Sequence, residues 1–419
     1  MTLQELKNEI CQYLYMEDTE VIDVILASVI GNIISPTNPI WMVIVGAPSG
    51  GKTQLILPLE KAQPSGKKYI HRITDLTPNT FLSGASRNAI EIGADGKSVK
   101  VPIETSLLKR IGTYGIMLFP DLTSLFSKEP TELQEILGTL RHIYDGALTK
   151  MTGTGLPIEW EGRLGIIGAS TSDIYRHTER FSSMGERLMY YRMKPVRDKR
   201  AATEMALSRQ IGGKELDEKI ATLYSEYIKG VLAMRGDSPE KSVSKQAIER
   251  IREAACYASL LRTGVYVAYR NEGARIERIP ESEMPMRTAL QLMGLARGFV
   301  AINNGEDMSE EQIAAIERCA WSMGNDERRK TLQILASGTD EWIKTGGVGA
   351  KIMLETDVAR GYLLQLSAVG IVARKKNSDG QDEWKIIDND FKKFVVRMEG
   401  IEPEDDDDVP IQADDFDNF

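Results

Sequence analysis

The sequence predicts an α/β fold: a parallel sheet covered by helices on both faces, then a mostly helical stretch, then a small module of three helices and a β-ribbon. Three observations carry this expectation. Short apolar runs at residues 41–45, 116–119 and 164–169 alternate with helical patterns such as 131–144, the alternation of buried parallel strands with covering helices. Residues 198–325 show helical periodicity without comparable strand runs, as at 245–262 and 285–301. From residue 326 three helical patterns (326–336, 348–355 and 357–369) precede strand patterns around 370–374 and 383–387, joined by the turn Asn377-Ser378-Asp379-Gly380.

Taken in order, residues 3–34 read as two helices ending near Ser35-Pro36, and define an N-terminal helical segment, 1–37. The run 41–45 (WMVIV) reads as a buried strand, and a helix is expected from Lys52 towards residue 62, with Pro58 ending or kinking it early. The α/β core is expected at 38–197, the helical region at 198–325, the three-helix and ribbon module at 326–392 and a tail at 393–419. No internal repeat is visible.

The 419 residues suggest two or three domains, taking about 150 residues for each. Hydrophobic residues at 42% and charged residues at 27% fit a soluble globular chain rather than a disordered or membrane one. The longest apolar stretch, 21–34, is too short to span a bilayer and is broken by Asp23 and Asn32. The N-terminus has no basic-then-apolar signal pattern, so no membrane and no export are expected. Cys11, Cys256 and Cys319 lie far apart, which fits a reducing cytoplasm. With three histidines and no C-x-x-C, a zinc site is not expected.

The net charge of −9 is unevenly placed: residues 399–419 hold ten of the 61 acids and no base, which leaves 51 acids against 52 bases, or +1, for the rest. A near-neutral body with a detached acidic tail follows, and the Asp-rich tail with Pro403 and Pro410 is expected to be disordered.

Gly46-Ala47-Pro48-Ser49-Gly50-Gly51-Lys52-Thr53 matches G-x-x-x-x-G-K-[ST] between a predicted strand and a predicted helix. The glycines let backbone N–H groups curl around a phosphate. Lys52 is expected to reach the β- and γ-phosphates of ATP, and the Thr53 hydroxyl to ligate Mg²⁺. An acid at the end of a neighbouring strand should complete the site, and Pro120-Asp121 supplies one. Asp121 either holds the metal and its water shell or orients the attacking water. The strand 164–169 ends in Ser170-Thr171, where a hydroxyl either positions water or caps a helix before Ser172-Asp173.

In this order the residues resemble an AAA+ ATPase, and specifically the MCM-like replicative helicases of phages and mobile elements, over roughly residues 38–390. The likeness rests on GAPSGGKT, TDLTPNTFLSG (74–84), LFPDLTSLF (118–126), YDGALTKMTGTGLPIEWEG (144–162), MGERLMYYRM (184–193) and PMRTALQLMGLARG (285–298). It implies a P-loop AAA+ core, a helical lid over 198–325 and a C-terminal winged helix. By this likeness Arg187 is the arginine finger that reaches a neighbouring subunit's ATP, with Arg176, Arg180 and Arg192 as competitors. Arg287 is the sensor-2 arginine, with Arg297 as competitor, and Thr171 or Ser170 stands where the family has a sensor-1 Asn. A single acid at Asp121 and the lack of the family's N-terminal domain are departures.

The resemblance also implies a ring of identical subunits, a hexamer by analogy, in a bacterial cytoplasm. Two hairpins are candidates for DNA contact, each with a solvated surface hairpin as the bland alternative. The first spans 89–101 around Asp95-Gly96 and carries Lys97 and Lys100; a helix with Lys109 and Arg110 follows it. The second joins 148–152 to 157–161, with Lys150 on its first strand and Thr152, Gly153 and Thr154 at its tip, placed to follow the phosphates of a single strand. In the C-terminal module Arg360, Arg374, Lys375 and Lys376 favour DNA, while Asp357, Asp379, Asp382 and Glu383 dilute them; a protein-binding role weighs equally. The tail end Asp414-Asp415-Phe416-Asp417-Asn418-Phe419 resembles the acidic tip of bacterial single-stranded DNA-binding proteins. It reads as a docking peptide for a replication partner, as an occupant of the chain's own DNA channel, or as a solubilising appendage. The leading expectation is an ATP-driven DNA helicase. The alternatives are a replication-initiation or helicase-loading ATPase and an ATP-switched binding protein.

Overall fold

The computed structural model describes residues 1–34, 38–82, 87–92, 98–103, 106–151, 157–176, 187–208, 212–235, 243–270, 273–279, 281–338 and 341–401. The chain divides into two compact units, residues 1–263 with 282–325, and residues 264–281 with 326–419.

The first unit opens with α1 (Leu3–Cys11) and α2 (Glu20–Ile34). A capping box sets the start of α1: Thr2 accepts from the Glu5 N–H, and Glu5 returns to the Thr2 N–H. α2 is apolar all round and almost wholly buried, as the helix of a core is. Its Asn32 ties it to the sheet, donating to the carbonyls of Ser28 and Ile40 and accepting from the Ile40 N–H at 2.8 Å. β1 (Trp41–Val45) and α3 (Lys52–Ile56) follow. The helix expected to reach residue 62 stops at Ile56, because Pro58 has no N–H to continue it and the chain tightens into a 3-10 turn over Leu57–Lys61.

Next come β2 (Ile70–Arg72), β3 (Arg87–Ile92), β4 (Ser98–Ile103), α4 (Leu107–Ile111), β5 (Tyr114–Phe119), α5 (Thr123–Phe126), α6 (Pro130–Asp145), β6 (Ala147–Met151), β7 (Pro157–Glu161), β8 (Arg163–Ser170) and β9 (Met189–Arg192). The central sheet runs β2-β5-β8-β1-β9 and is parallel throughout. β3 pairs with β4 and β6 with β7 as separate antiparallel hairpins, where the sequence placed them. The unit ends in helices: α7 (Lys199–Ser208), α8 (Gly213–Arg235), α9 (Lys245–Arg262), α10 (Met286–Ile302) and α11 (Glu310–Trp321). α10 crosses α2 at close range. A Cβ on Gly298 would lie 2.0 Å from the Ala27 carbonyl oxygen, and one on Gly31 would lie 2.9 Å from the Gly294 carbonyl oxygen. A buried polar cluster joins three segments: the Tyr191 hydroxyl donates to Asp18 at 3.0 Å and accepts from Arg318 at 2.9 Å, and Arg318 also pairs with Glu20.

The second unit contains a hairpin that the helical reading of residues 198–325 did not include: β10 (Tyr266–Arg270) against β11 (Gly273–Arg278). It continues with α12 (Asp326–Ala336), β12 (Ile343–Lys344), α13 (Thr345–Ile352), α14 (Thr356–Ala368), β13 (Val372–Lys376), β14 (Asp382–Ile386) and α15 (Asn389–Glu399). α13 starts earlier than the pattern suggested and ends at Met353, whose φ of 57° breaks the helix. Trp384 is fully buried and donates through its indole N–H to the Thr345 hydroxyl at 2.8 Å. The tail expected from residue 393 begins later. α15 is capped by Asp388 and buries Phe391, Phe394 and Val395, so an apolar stripe holds residues 389–399 to this unit. The acidic residues from Glu402 onward lie outside the described residues. Among the described residues no helix is long and apolar enough to cross a membrane.

Candidate functional site

The loop Gly46–Thr53 leaves the carboxyl end of β1 and leads into α3. Gly51 stands at φ 80° just before the helix, a backbone conformation that glycine adopts without Cβ strain. Gly50 donates to the Ala47 carbonyl, and a Cβ on Gly50 would press that oxygen at 3.0 Å. The Lys52 side chain is largely buried and its ammonium donates to the Gly46 and Ala47 carbonyls at 2.9 and 2.6 Å. Burial presses the Lys52 pKa below its ordinary value, and Asp121 acts against that. The Pro48 and Ser49 side of the loop is exposed, and Ser49 takes φ 59°.

Two neighbouring strand ends close on this loop. Gly46 donates to the Ser170 carbonyl at the end of β8, and the Thr53 hydroxyl faces the Pro120 carbonyl at 3.5 Å, just past β5. Asp121 accepts from the Thr123 N–H at 2.8 Å, a local turn bond that fixes the carboxylate at the strand end. Thr123 Oγ1 and Ser170 Oγ are 3.4 Å apart, so a row of hydroxyls runs from the Asp121 turn to β8. Thr171 turns towards Asp173 at 3.5 Å, while its carbonyl accepts from the Ile174 N–H. Of the two hydroxyls expected at this strand end, Ser170 is the buried one packed between strand ends and Thr171 is the more open.

Thr53 and Asp121 are the residues that could hold Mg²⁺. Among the described residues no cluster of three or more His, Cys, Asp or Glu could hold a metal ion. A sparse donor set of one hydroxyl and one carboxylate suits a small cation that keeps waters and takes phosphate oxygens.

Arg187 and Arg287 lie elsewhere. β9 runs parallel to β1 with Met189 beside Met42 and Arg192 beside Val45, so Arg187 precedes the amino end of the sheet. There its guanidinium pairs with Asp145 at 3.1 Å and lies 5.4 Å from the Tyr144 ring centroid, and Tyr144 meets Trp41, the first residue of β1, edge to face at 5.1 Å. Burial first, and then Arg287, press the Arg187 pKa down, while Asp145 supports the charge. Gln291, one turn beyond Arg287 on α10, donates to the Arg187 carbonyl. Arg287 pairs with Glu283, which also accepts from Arg262. Burial pushes the Tyr144 hydroxyl up to about 12, against the pull of the surrounding arginines. Of the competitors, Arg192 sits at the loop end of β9 against Tyr175, and Arg176 is exposed and paired with Asp173; Arg180 lies outside the described residues.

The structure thus brings Lys52, Thr53, Asp121 and Ser170 together and sets Arg187 and Arg287 apart from them in a second group. Sequence reasoning missed Tyr144, Asp145, Glu283 and Arg262. The spacing of Glu283 to Arg287, four residues on a helix, was a legible signal, whereas Arg262 had none.

Lys150, on β6, donates to the Asn79 side chain at 2.7 Å and to the Leu82 carbonyl at 3.3 Å. Thr152, Gly153, Thr154 and Lys97 lie outside the described residues, as does the Lys100 side chain. In the second unit the ribbon cations are engaged: Arg374 chelates Asp382 at 2.8 and 2.9 Å, Arg360 joins it at 3.1 Å, and Lys375 meets Glu383 at 3.5 Å. The chain matches no protein-family model, and no curated protein matches it.

Proposed function

We propose that this chain is an ATPase that acts as a ring of identical subunits and moves on DNA, in the manner of the MCM-like AAA+ helicases it resembles. The observation that carries the ATP reading is the convergence of the Gly46–Thr53 loop, Asp121 and Ser170 on the carboxyl ends of three adjacent strands. Ligands of open α/β sheets bind outside those ends. ATP phosphates would draw the Lys52 ammonium off the loop carbonyls. Mg²⁺, held by Thr53 and Asp121, would supply neutralising charge on the phosphates. The hydroxyls of Ser170 and Thr171 would orient the attacking water.

The second group supports the ring reading. A cation at the far end of the sheet cannot complete the site of its own subunit, so Arg187 and Arg287 serve the ATP of a neighbour. Arginines supplied in trans stabilise charge on the transferring phosphoryl, and a head-to-tail interface of this kind closes into a ring. Residues 198–263 and 282–325 are then the lid, and α12 to β14 a winged helix.

The test is ATP turnover with and without single-stranded DNA, paired with mass measurement in ATP. Turnover that DNA stimulates, in an assembly of several subunits, is the expected result. Turnover indifferent to DNA sinks the translocase reading. Strand displacement separates a helicase from an initiation or loading ATPase. A second reading, in which the C-terminal unit binds a protein, is favoured by the ion pairs of Arg360, Arg374 and Lys375 with Asp382 and Glu383, which compete with phosphates for the same cations.

A further inference from the structure

Glu283 accepts from two guanidinium groups, Arg262 on one carboxylate oxygen and Arg287 on the other, each at 2.7 Å. The two arginines come from separate helices: Arg262 ends α9 and Arg287 lies in the first turn of α10. One residue further along, the hydroxyls of Thr263 and Ser282 meet at 3.0 Å and close the same junction. Exposure rises outward through the group: the Arg262 side chain is 8% exposed, Glu283 26% and Arg287 33%. Arg262 is therefore the anchor, Glu283 the bridge and Arg287 the group that reaches solvent.

This order has a physical consequence. A long guanidinium side chain has many rotamers, and a single exposed pair with a residue four positions away holds it loosely. A carboxylate already fixed on its other oxygen by a buried arginine offers only one oxygen in one direction. Arg287 is then restricted before any phosphate arrives. Gln291 carries the same helix onto the Arg187 backbone, so the direction of Arg287 is set relative to Arg187.

We propose that Glu283 is a positioning residue that holds Arg262 and Arg287 on one carboxylate, so that Arg287 is presented in a fixed direction to the nucleotide of the next subunit. The assignment rests on the trans reading above. Arg262 acts through Glu283 and touches no substrate.

The experiment mixes two variants. Lys52→Ala subunits lack a working nucleotide site but donate intact arginines, and Arg187→Ala subunits have an intact site but a defective donor face. Their mixed rings recover turnover at interfaces where the first serves the second. Glu283→Gln is then placed on one partner or the other. On the Lys52→Ala donor it lowers the recovered turnover roughly 10- to 100-fold, the loss expected when a reacting group is displaced by about an ångström. On the Arg187→Ala subunit it leaves the recovered turnover at the parental level. Glu283→Asp, which keeps the charge but shortens the bridge, gives an intermediate loss on the donor alone, and it carries the same comparison should the Gln variant fail to enter rings by mass. Equal loss from both placements, or no loss on the donor, overturns the assignment. No recovery in the parental mixture, with mixed rings present by mass, overturns the trans reading itself, so the two failures are told apart.

Discussion

Arg187 and Lys52 stand at opposite ends of two strands that lie side by side in one sheet. Arg187 precedes β9 and Lys52 follows β1, and the register aligns Met189 with Met42. Along β9 alone the separation from Arg187 to the loop end is about 16 Å, at the ordinary rise of a parallel strand. On the proposed reading, a subunit would bind its own ATP without help from its own Arg187. Arg187→Ala should leave the Kd for ATP unchanged while turnover falls by about 10³-fold, the lower range for an arginine supplied in trans. Titration of a fluorescent ATP analogue, alongside steady-state turnover, makes the comparison. A Kd that rises together with the loss of turnover would place Arg187 at its own subunit's site.

Lys52→Ala should abolish ATP binding with the fold retained, because the ammonium donates to two loop carbonyls, from which the proposed phosphates would draw it, rather than to the core. Asp121→Asn should still bind ATP with Mg²⁺ but turn it over slowly, since the Asn oxygen can keep the turn bond to Thr123 while losing the charge. Circular dichroism, titration of the fluorescent ATP analogue and turnover together check both. Full activity in Asp121→Asn would move the metal and water roles to another acid.

Lys150 is the described cation of the second hairpin, and its ammonium is already shared by Asn79 and Leu82. If it also meets a phosphate, Lys150→Ala weakens single-stranded DNA binding and reduces the slope of log K against log salt by about 0.7. An unchanged slope shows that its bonds to Asn79 and Leu82 are its whole role.

Tyr191→Phe should destabilise the first unit by about 1–3 kcal/mol, the worth of hydrogen bonds to charged groups, although Asp18 keeps the Lys194 N–H and Arg318 keeps Glu20. The hydroxyl lost is the one that joins Asp18 to Arg318. The urea midpoint should fall with the slope m unchanged. An unchanged midpoint would show that Asp18 and Arg318, 3.7 Å apart, close on each other directly.

Asp23 supplies a pH test. Burial raises its pKa above the ordinary carboxylate value, and its bond to Lys7 at 2.9 Å offsets only part of that. The unfolded chain then releases this proton at lower pH than the folded chain. Stability contributed by the protonated form is present below the unfolded value near 4 and is lost as pH rises through the folded one. Measured against Asp23→Asn, the wild-type chain should lose relative stability as pH rises above about 4. Denaturant melts of both proteins at several pH values read this out, and a gap independent of pH, or one that moves the other way, contradicts it.

The strand-to-helix connection Gly46–Thr53 was legible because its signal is local: eight consecutive residues carry the glycines of the turn and lie between the two elements. The strands were legible for a related reason, since β1, β5 and β8 are buried on both faces and read as unbroken apolar runs. The hairpin Tyr266–Arg278 was not, because much of it is exposed and its residues alternate with charge, leaving no apolar run. α15 was hidden by its place beside the acidic residues, although Phe391, Phe394 and Val395 carry a helical stripe. The group around Arg187 needed three dimensions. Tyr144 and Asp145 precede it by some forty residues, about 140 Å of extended chain, and Arg262 meets Arg287 only through Glu283.

Where α2 crosses α10, backbone meets backbone at Gly298 and Ala27, and no side chain separates them. Interlocked helices of this kind cannot ratchet past one another, since a shift of one residue would drive a Cβ into a carbonyl. The crossing behaves as a weld rather than a bearing. A displacement of α10 would therefore carry α2 with it, and α2 is bonded through Asn32 to Ile40, the residue before β1. The helix bearing Arg287 and the strand leading to the Gly46–Thr53 loop are thus parts of one chassis, and in the proposed ring any motion would arise at the boundary between subunits rather than within this joint.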